Sequence, residues 1–325
     1  MSAPAAPGLF ARVRAAAAEV TRRARAVRLD PARCATLAGE LAREATLPGV
    51  YDLEHHHRGS PASTLAFVVT LDAVNFGSGW FPRLRKQGSL SGYLTLATAL
   101  RRRFDAVGPW SARELRALGA PEVARVLGQT LDDAEVAELM GLYARAWNDL
   151  GAFLEARYAG RFEGLVEEAA GSAERLVELL ATMPFFRDVA RYEELEVPFY
   201  KRAQITAADL HLAFEGKGPG RFRDLSGLTL FADNLVPHVL RLEGALVYAP
   251  ELLARIEAGE LLGAGAPEEV EIRAVALHAV ELLVAEIRAR GGETTAQRVD
   301  QLLWSRGQGA AFKARPRHRT RTVFY

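Results

Sequence analysis

The chain has 325 residues, 49% hydrophobic and 25% charged, an ordinary globular composition that excludes a disordered polymer. Its formal net charge is +1, which gives no whole-chain field for gripping a long nucleic acid by counterion release. The single cysteine, Cys34, excludes an internal disulfide and a cysteine-based structural zinc site, and its Ala/Leu-rich surroundings read as a buried thiol.

From Met1 to about Val27 the chain is rich in Ala and Arg, like an organellar presequence. Glu19 nevertheless sits among apolar residues at helical spacing, no cleavage-like region is present, and Arg outnumbers Lys throughout, so a cytoplasmic helix is expected. No apolar run approaches the roughly 20 residues needed to cross a bilayer. His55, His56 and His57 are adjacent and point in different directions, so they are not expected to share one metal ion. Leu65 to Leu71 is apolar and β-branched enough for a strand but equally suits a buried helix. The next block, Leu71-Asp72-Ala73-Val74-Asn75-Phe76-Gly77-Ser78-Gly79-Trp80-Phe81-Pro82, inserts an acid and an amide into apolar sequence. Burying either without a partner costs about 2–7 kcal/mol, so Asp72 and Asn75 need partners, in a core hydrogen-bond network or on a substrate.

Helical periodicity dominates the chain. Leu115 and Leu118, then Val123, Val126 and Leu127 beyond the Gly119–Pro121 break, then Val136, Leu139, Leu142 and Tyr143 each mark an apolar face. Lys201-Arg202 is a basic pair suited to a phosphate or to solvent. Gly216 to Gly220 lacks a preceding strand and a Ser/Thr and reads as a turn. Asp224 is a plausible N-cap for a helical stripe of Leu225, Leu228 and Phe231, with Pro237 forcing its end. Asp233 would then face the negative end of the helix dipole, either as a solvated acid or as one presented to a pocket. The clearest helix runs from Pro267 to about Arg290, with acids at its start, Val270, Ala274, Leu277, Val280, Val284 and Ile287 on one face, and Gly291-Gly292 as its stop. His278 within it reads as a core residue. After Thr294 as N-cap, Gln297, Asp300 and Trp304 share one helical face, a platform for a heterocycle or a solvated face around a half-buried indole. Arg317-His318-Arg319-Thr320-Arg321 closes the chain with a second basic cluster that suits a phosphate or solvent. Few strands are expected. The fold class is all-α, one compact helical unit with lobes of about 1–190 and 191–325, the second carrying most candidate site residues.

Taken in order, six blocks resemble the queuosine salvage family, the queuosine 5′-phosphate N-glycosylases. They are Leu71-Asp72-Ala73-Val74-Asn75-Phe76; Phe199-Tyr200-Lys201-Arg202-Ala203-Gln204-Ile205 with Asp209; Phe231-Ala232-Asp233 with Val236-Pro237; Glu269-Val270-Glu271-Ile272-Arg273; Val299-Asp300 with Leu303-Trp304; and Pro316-Arg317-His318-Arg319-Thr320-Arg321-Thr322 before Tyr325. The resemblance implies a multi-helix fold similar to helical DNA glycosylases and hydrolysis of queuosine 5′-phosphate to queuine and ribose 5-phosphate. It implies Asp233 as the catalytic carboxylate and Phe231 packed on the base, with Asp300, Gln301 and Ser305 at the base edge. It also places His56 or His57 in the site. Asp72, Asn75, Lys201 and Trp304 complete the expected substrate contacts, with Lys201 and the C-terminal arginines as candidates for the 5′-phosphate. No cofactor, metal, nucleic acid or membrane is expected as a partner. Asn234-Leu235 after Phe-Ala-Asp, Ser305 after Trp304, and Gly77-Ser78-Gly79 depart from common members. The rival expectation is a helical nucleic-acid-binding protein or DNA-repair-type glycosylase acting on a flipped base.

Overall fold

The structure, a computed structural model, describes residues 7–325 except 46 and 48. The first residues of the expected N-terminal helix therefore lie outside the described residues, and that helix spans Leu9–Arg23. Contacts divide the chain into two compact units, each assembled from separated stretches. One takes the described part of 1–49 with Val189–Lys201 and Asp224–Thr320; the other takes Val50–Asp188, Arg202–Arg223 and Arg321–Tyr325.

The first unit is built on the helix Pro267–Ala289, which packs against Leu9–Arg23 and Pro31–Ala45. All six apolar residues expected on its inner face are buried. Its first turns bury charges as well: Glu269, Glu271 and Arg273 are each 2% exposed. Burial of a carboxylate demands donors, and Glu271 has four. Its Oε2 accepts from the backbone N–H groups of Arg25 (3.1 Å), Ala26 (2.7 Å) and Val27 (3.0 Å), and its Oε1 from the Tyr192 hydroxyl (2.7 Å). These bonds fix the chain where it leaves the first helix and enters the strand Val27–Leu29. That strand pairs antiparallel with Leu246–Tyr248, while Val189–Tyr192 and Leu195–Pro198 form a hairpin. The expected helical class holds, with these short strands as its only regular β-structure among the described residues.

The second unit centres on the long helix Ala134–Tyr158, against which Ala112–Ala117 and Ala120–Val126 pack. The ambiguous apolar run is a helix, Pro61–Asp72, buried at every position from Thr64 onward. Burial all round erases the amphipathic period, which is why spacing could not separate helix from strand. Local signals do: Pro61 occupies the first turn, and Ser60 caps it by accepting from Ser63 N–H at 3.2 Å. Cys34 is a buried thiol, 1% exposed. No helix among the described residues is long and apolar enough to cross a membrane.

Two expected helix boundaries are corrected. No helix runs from Asp224 to Phe231. A single 3-10 turn, Leu225–Gly227, gives way to irregular chain through Leu235, and the next helix is Val236–Leu242. Pro237 lies in the first turn of that helix, where its missing N–H costs nothing, so it opens a helix instead of ending one. The final long helix, Ala296–Gly307, is capped by Thr295, which accepts from Arg298 N–H at 3.3 Å; Thr294 instead donates its hydroxyl to Ala45 O at 2.7 Å.

Removing the Glu271 carboxylate leaves four donors unmatched in the interior. Glu271→Ala should lower unfolding free energy by about 3 kcal/mol, read from urea melts; a loss below about 0.5 kcal/mol would show that these donors find other partners. Two histidines of the same unit are also buried: His238 is held down to about 4 and His318 to about 3, both mainly by burial. His238 Nε2 donates to Phe312 O at 2.9 Å, which opposes the shift. Because the unfolded chain protonates them near 6.5 and the folded one does not, their contribution is complete above that pH. It drains away as pH falls toward 4 and 3. His238→Gln should flatten the decline of the urea midpoint between about pH 6.5 and pH 4; midpoint curves that run parallel to wild type would contradict the assignment.

Candidate active site

In the first unit, the chain from Leu228 to Ala232 is buried without belonging to a helix or strand. Its backbone polar groups therefore need partners from elsewhere, and side chains distant in sequence supply them. Phe231 N–H donates to Asp300 Oδ1 at 3.2 Å, and Ala232 O accepts from Arg273 Nε at 3.0 Å. Asn234 Nδ2 donates to His318 O at 3.1 Å. Between these anchors sits Asp233, half-buried. Its Oδ1 accepts from the N–H groups of Leu235 (2.8 Å) and Val236 (3.0 Å), a turn that Asp side chains favour. Its Oδ2 accepts no hydrogen bond from any described residue. Asp233 thus precedes a helix start, so the helix-dipole argument changes sign: the carboxylate faces the favourable end. The carboxylate is thus oriented through one of its two oxygens.

Arg273 ties this turn to a second one. Its guanidinium lies 3.9 Å from the ring centroid of Phe199 and 3.6 Å from Glu269 Oε1, and Glu269 Oε2 also accepts from Gly265 N–H at 3.2 Å. After Phe199 comes Tyr200 at φ +50°, a left-handed conformation uncommon for a non-glycine residue. The buried Lys201 then begins the helix Lys201–Ala213.

On the helix Ala296–Gly307, Asp300 (5% exposed) and the half-buried Trp304 lie one turn apart on the same face as buried Gln297. Gln301, four residues after Gln297 and three before Trp304, shares that face, and Ser305 lies at its edge. Gln301 Oε1 accepts from Arg298 Nη1 at 3.0 Å, and Ser305 is exposed. The acid and the indole therefore share one helical face with Gln301, whose side-chain oxygen is taken by Arg298.

In the second unit the three adjacent histidines face three different partners. His55 Nδ1 lies 3.7 Å from Asp52. His56 Nε2 is 2.9 Å from the Tyr93 hydroxyl, with the rings of Tyr51 and Phe67 at 5.2 and 6.0 Å. Burial holds His56 down to about 4, so at neutral pH its ring is uncharged. His57 spends both nitrogens on the protein: Nδ1 on Asp105 (2.6 Å) and Nε2 on Ser63 (2.7 Å). Of the two candidate histidines, His57 is a latch between the helices Pro61–Asp72 and Gly92–Val107. Tyr93 carries a phenol whose pKa is raised by burial and then by the carboxylates of Asp209 and Asp72. It did not stand out in the sequence, because only the fold brings it to His56.

Asp72 is fully buried at the end of its helix, and Asn75 Nδ2 lies 3.5 Å from its Oδ1. Arg202 secures this turn. It donates to Asp72 O (3.0 Å), Ala73 O (2.6 Å) and Val323 O (2.9 Å), and to Phe185 O. Burial pushes its guanidinium down to about 9, and the rings of Phe76 and Phe186 flank it at 4.9 and 4.7 Å. The basic pair Lys201-Arg202 is therefore not a solvated face, and Arg202 is committed to main-chain carbonyls instead of an anion. Among the described residues no group of three or more His, Cys, Asp or Glu side chains is placed to hold a metal ion.

The sequence profile of the family described as queuosine salvage protein matches residues 55–325. A queuosine 5′-phosphate N-glycosylase/hydrolase of Sphaerobacter thermophilus is 39% identical, over 94% of this chain and 95% of that protein. Proteins of the same name from Mus musculus and Schizosaccharomyces pombe are 34% and 30% identical, over 84% and 77% of this chain and 85% and 77% of theirs. Each of those relatives retains most of its length in the alignment, and the profile takes in every block from Asp72 to Tyr325. This chain belongs to the queuosine salvage protein family.

Proposed function

We infer that this protein hydrolyses the N-glycosidic bond of queuosine 5′-phosphate, releasing queuine and ribose 5-phosphate, with Asp233 as the catalytic carboxylate. The observation that carries the assignment is the division of labour between the two oxygens of Asp233: two backbone N–H groups hold Oδ1, and Oδ2 is left over. Departure of the base leaves positive charge on the anomeric carbon and ring oxygen of the ribose. A carboxylate already oriented toward that carbon stabilises charge that exists only as the bond breaks, which is the differential binding catalysis requires. The base leaves with the electron pair of the C–N bond; water then adds its oxygen to the anomeric carbon, at an ion pair or at a glycosyl ester, and its proton ends on the departed base.

Phe231 and Trp304 are assigned to the two faces of the 7-deazaguanine base and Asp300 to its donor edge. Asp300 also accepts from Phe231 N–H, so recognition of the base and placement of the neighbouring Asp233 share one carboxylate. A deaza base lacks the ring nitrogen that other N-glycosylases protonate, which puts more of the burden on the sugar side and so on Asp233. Lys201 and the C-terminal arginines are the candidates for the 5′-phosphate. A flipped-base DNA glycosylase is disfavoured by a net charge of +1, since duplex binding draws on phosphate neutralisation.

Incubation of the purified protein with queuosine 5′-phosphate should release free queuine. Asp233→Asn should keep substrate affinity and lower turnover by about a thousandfold or more. Turnover near wild type in that variant would remove Asp233 from the chemistry, and tight salt-sensitive binding of duplex DNA without queuine release would favour the repair-type alternative.

A further inference from the structure

In the second unit, the bonds that make His57 a latch also arrange it as a base. Its Nδ1 lies 2.6 Å from Asp105 Oδ1 and its Nε2 lies 2.7 Å from Ser63 Oγ. An ionised carboxylate only accepts, so Nδ1 carries the proton, and Nε2 of the uncharged ring accepts from the Ser63 hydroxyl. The hydroxyl therefore points its proton at a nitrogen able to take it, with an acid on the far side to hold the tautomer. That order, hydroxyl to imidazole to carboxylate, activates a serine nucleophile on whatever fold presents it. Neither Ser63 nor Asp105 has a part in the glycosidic reaction proposed above.

The arrangement is rigid at the base and open at the hydroxyl. The rings of Phe67 and Phe104 flank the imidazole at 5.8 and 5.7 Å, and His57 O accepts from the Tyr51 hydroxyl at 3.1 Å. Arg101 Nη1 donates to Asp105 Oδ2 at 2.7 Å, which steadies the acid. Ser63, by contrast, is half-buried, and residues 58–62 ahead of it are exposed. Gly59 keeps that approach open: a Cβ there would sit 2.8 Å from His57 Nε2, so a side chain would crowd the reactive nitrogen. Ser63 belongs to the first turn of the helix Pro61–Asp72, and helical side chains lean toward the N-terminus. Its hydroxyl thus lies toward the positive end of the helix dipole, where negative charge is favoured. Ser60 Oγ takes the Ser63 N–H. The Ala62 N–H makes no hydrogen bond among the described residues, so it is available to an oxyanion.

We propose that Ser63, His57 and Asp105 form a second reactive centre, in which Ser63 takes the acyl group of small, activated carboxylic esters. Ser63 Oγ bonds to the acyl carbon as its proton passes to His57 Nε2. The tetrahedral oxyanion then collapses, the bond to the leaving oxygen breaks, and that oxygen departs as an alcohol carrying the proton from His57. Water reverses the loading. Its oxygen bonds to the acyl carbon while its proton passes to Nε2, and that proton returns to Oγ as the acyl–Ser63 bond breaks and the carboxylic acid leaves. Asp105 is a positioning residue: it touches no reacting atom and fixes which ring nitrogen is the base. The exposed turn of residues 58–62 gives a long acyl chain little apolar surface to bury against, so short acyl groups are the expected cargo.

Two probes on the full chain test it: a fluorophosphonate, which phosphonylates activated serines with loss of fluoride, and para-nitrophenyl acetate. Wild type should be phosphonylated at Ser63, located by peptide mass spectrometry, and should release para-nitrophenol faster than buffer alone. Ser63→Ala should abolish both while its melting temperature stays at the wild-type value. Asp105→Asn should slow phosphonylation by about a hundredfold or more, and Asp105→Glu should recover part of the rate, a dependence that a purely structural latch would not show. Should Ser63→Ala fail to fold, the Asp105 variants decide alone, since that side chain is 43% exposed. Absence of label at Ser63 in wild type, label on other residues only, or a labelling rate indifferent to Asp105→Asn would overturn the proposal.

Discussion

Asp233 Oδ1 accepts two backbone N–H groups from the start of the helix that comes after it. Charge-assisted bonds of this kind contribute about 1.5–3 kcal/mol each when well made. Their larger effect here is geometric. They remove rotational freedom from the carboxylate and hold it through one oxygen, which suits the catalytic role proposed for it. A carboxylate that must swing into place during bond cleavage spends part of its stabilisation on reorganisation; one already held does not. Three side chains or carbonyls from elsewhere in the first unit keep that short turn where it is. Asp300, Arg273 and His318 hold Phe231, Ala232 and Asn234 in turn, so the residues on both sides of Asp233 are tied to three different parts of the unit.

A common economy runs through the buried charges. Glu271 satisfies three backbone N–H groups and a phenol, and Arg202 satisfies four backbone carbonyls. Arg273 serves a carbonyl, an aromatic face and a carboxylate together. An ion pair alone would scarcely repay desolvation. A charge that closes several main-chain valences fixes irregular chain that no helix or sheet could satisfy.

What the sequence made legible was local. The helix Pro267–Ala289 announces itself through a 3.6-residue period, acids at its start and a Gly-Gly stop, all within its own span. The order of the family blocks singled out Asp233, Asp300 and Trp304 as candidates without any geometry. The turn around Asp233 was misread because Leu225, Leu228 and Phe231 have helical spacing, yet the chain from Leu228 to Ala232 is buried and irregular, and Phe231, Ala232 and Asn234 are held by residues 41 to 84 positions away. Nothing local distinguishes that case. The separation of His56 from His57 was equally hidden. It depends on Tyr93 and Asp105, which lie 37 and 48 residues further on. Arg202 read as half of a basic pair because its carbonyl partners come from three distant segments.

The most direct test is a crystal structure of Asp233→Asn with unhydrolysed queuosine 5′-phosphate bound. The side-chain oxygen of residue 233 should lie about 3–3.5 Å from the anomeric carbon, the separation of a near-attack geometry. A substrate whose ribose sits away from residue 233, with that side chain turned to solvent, would contradict the account.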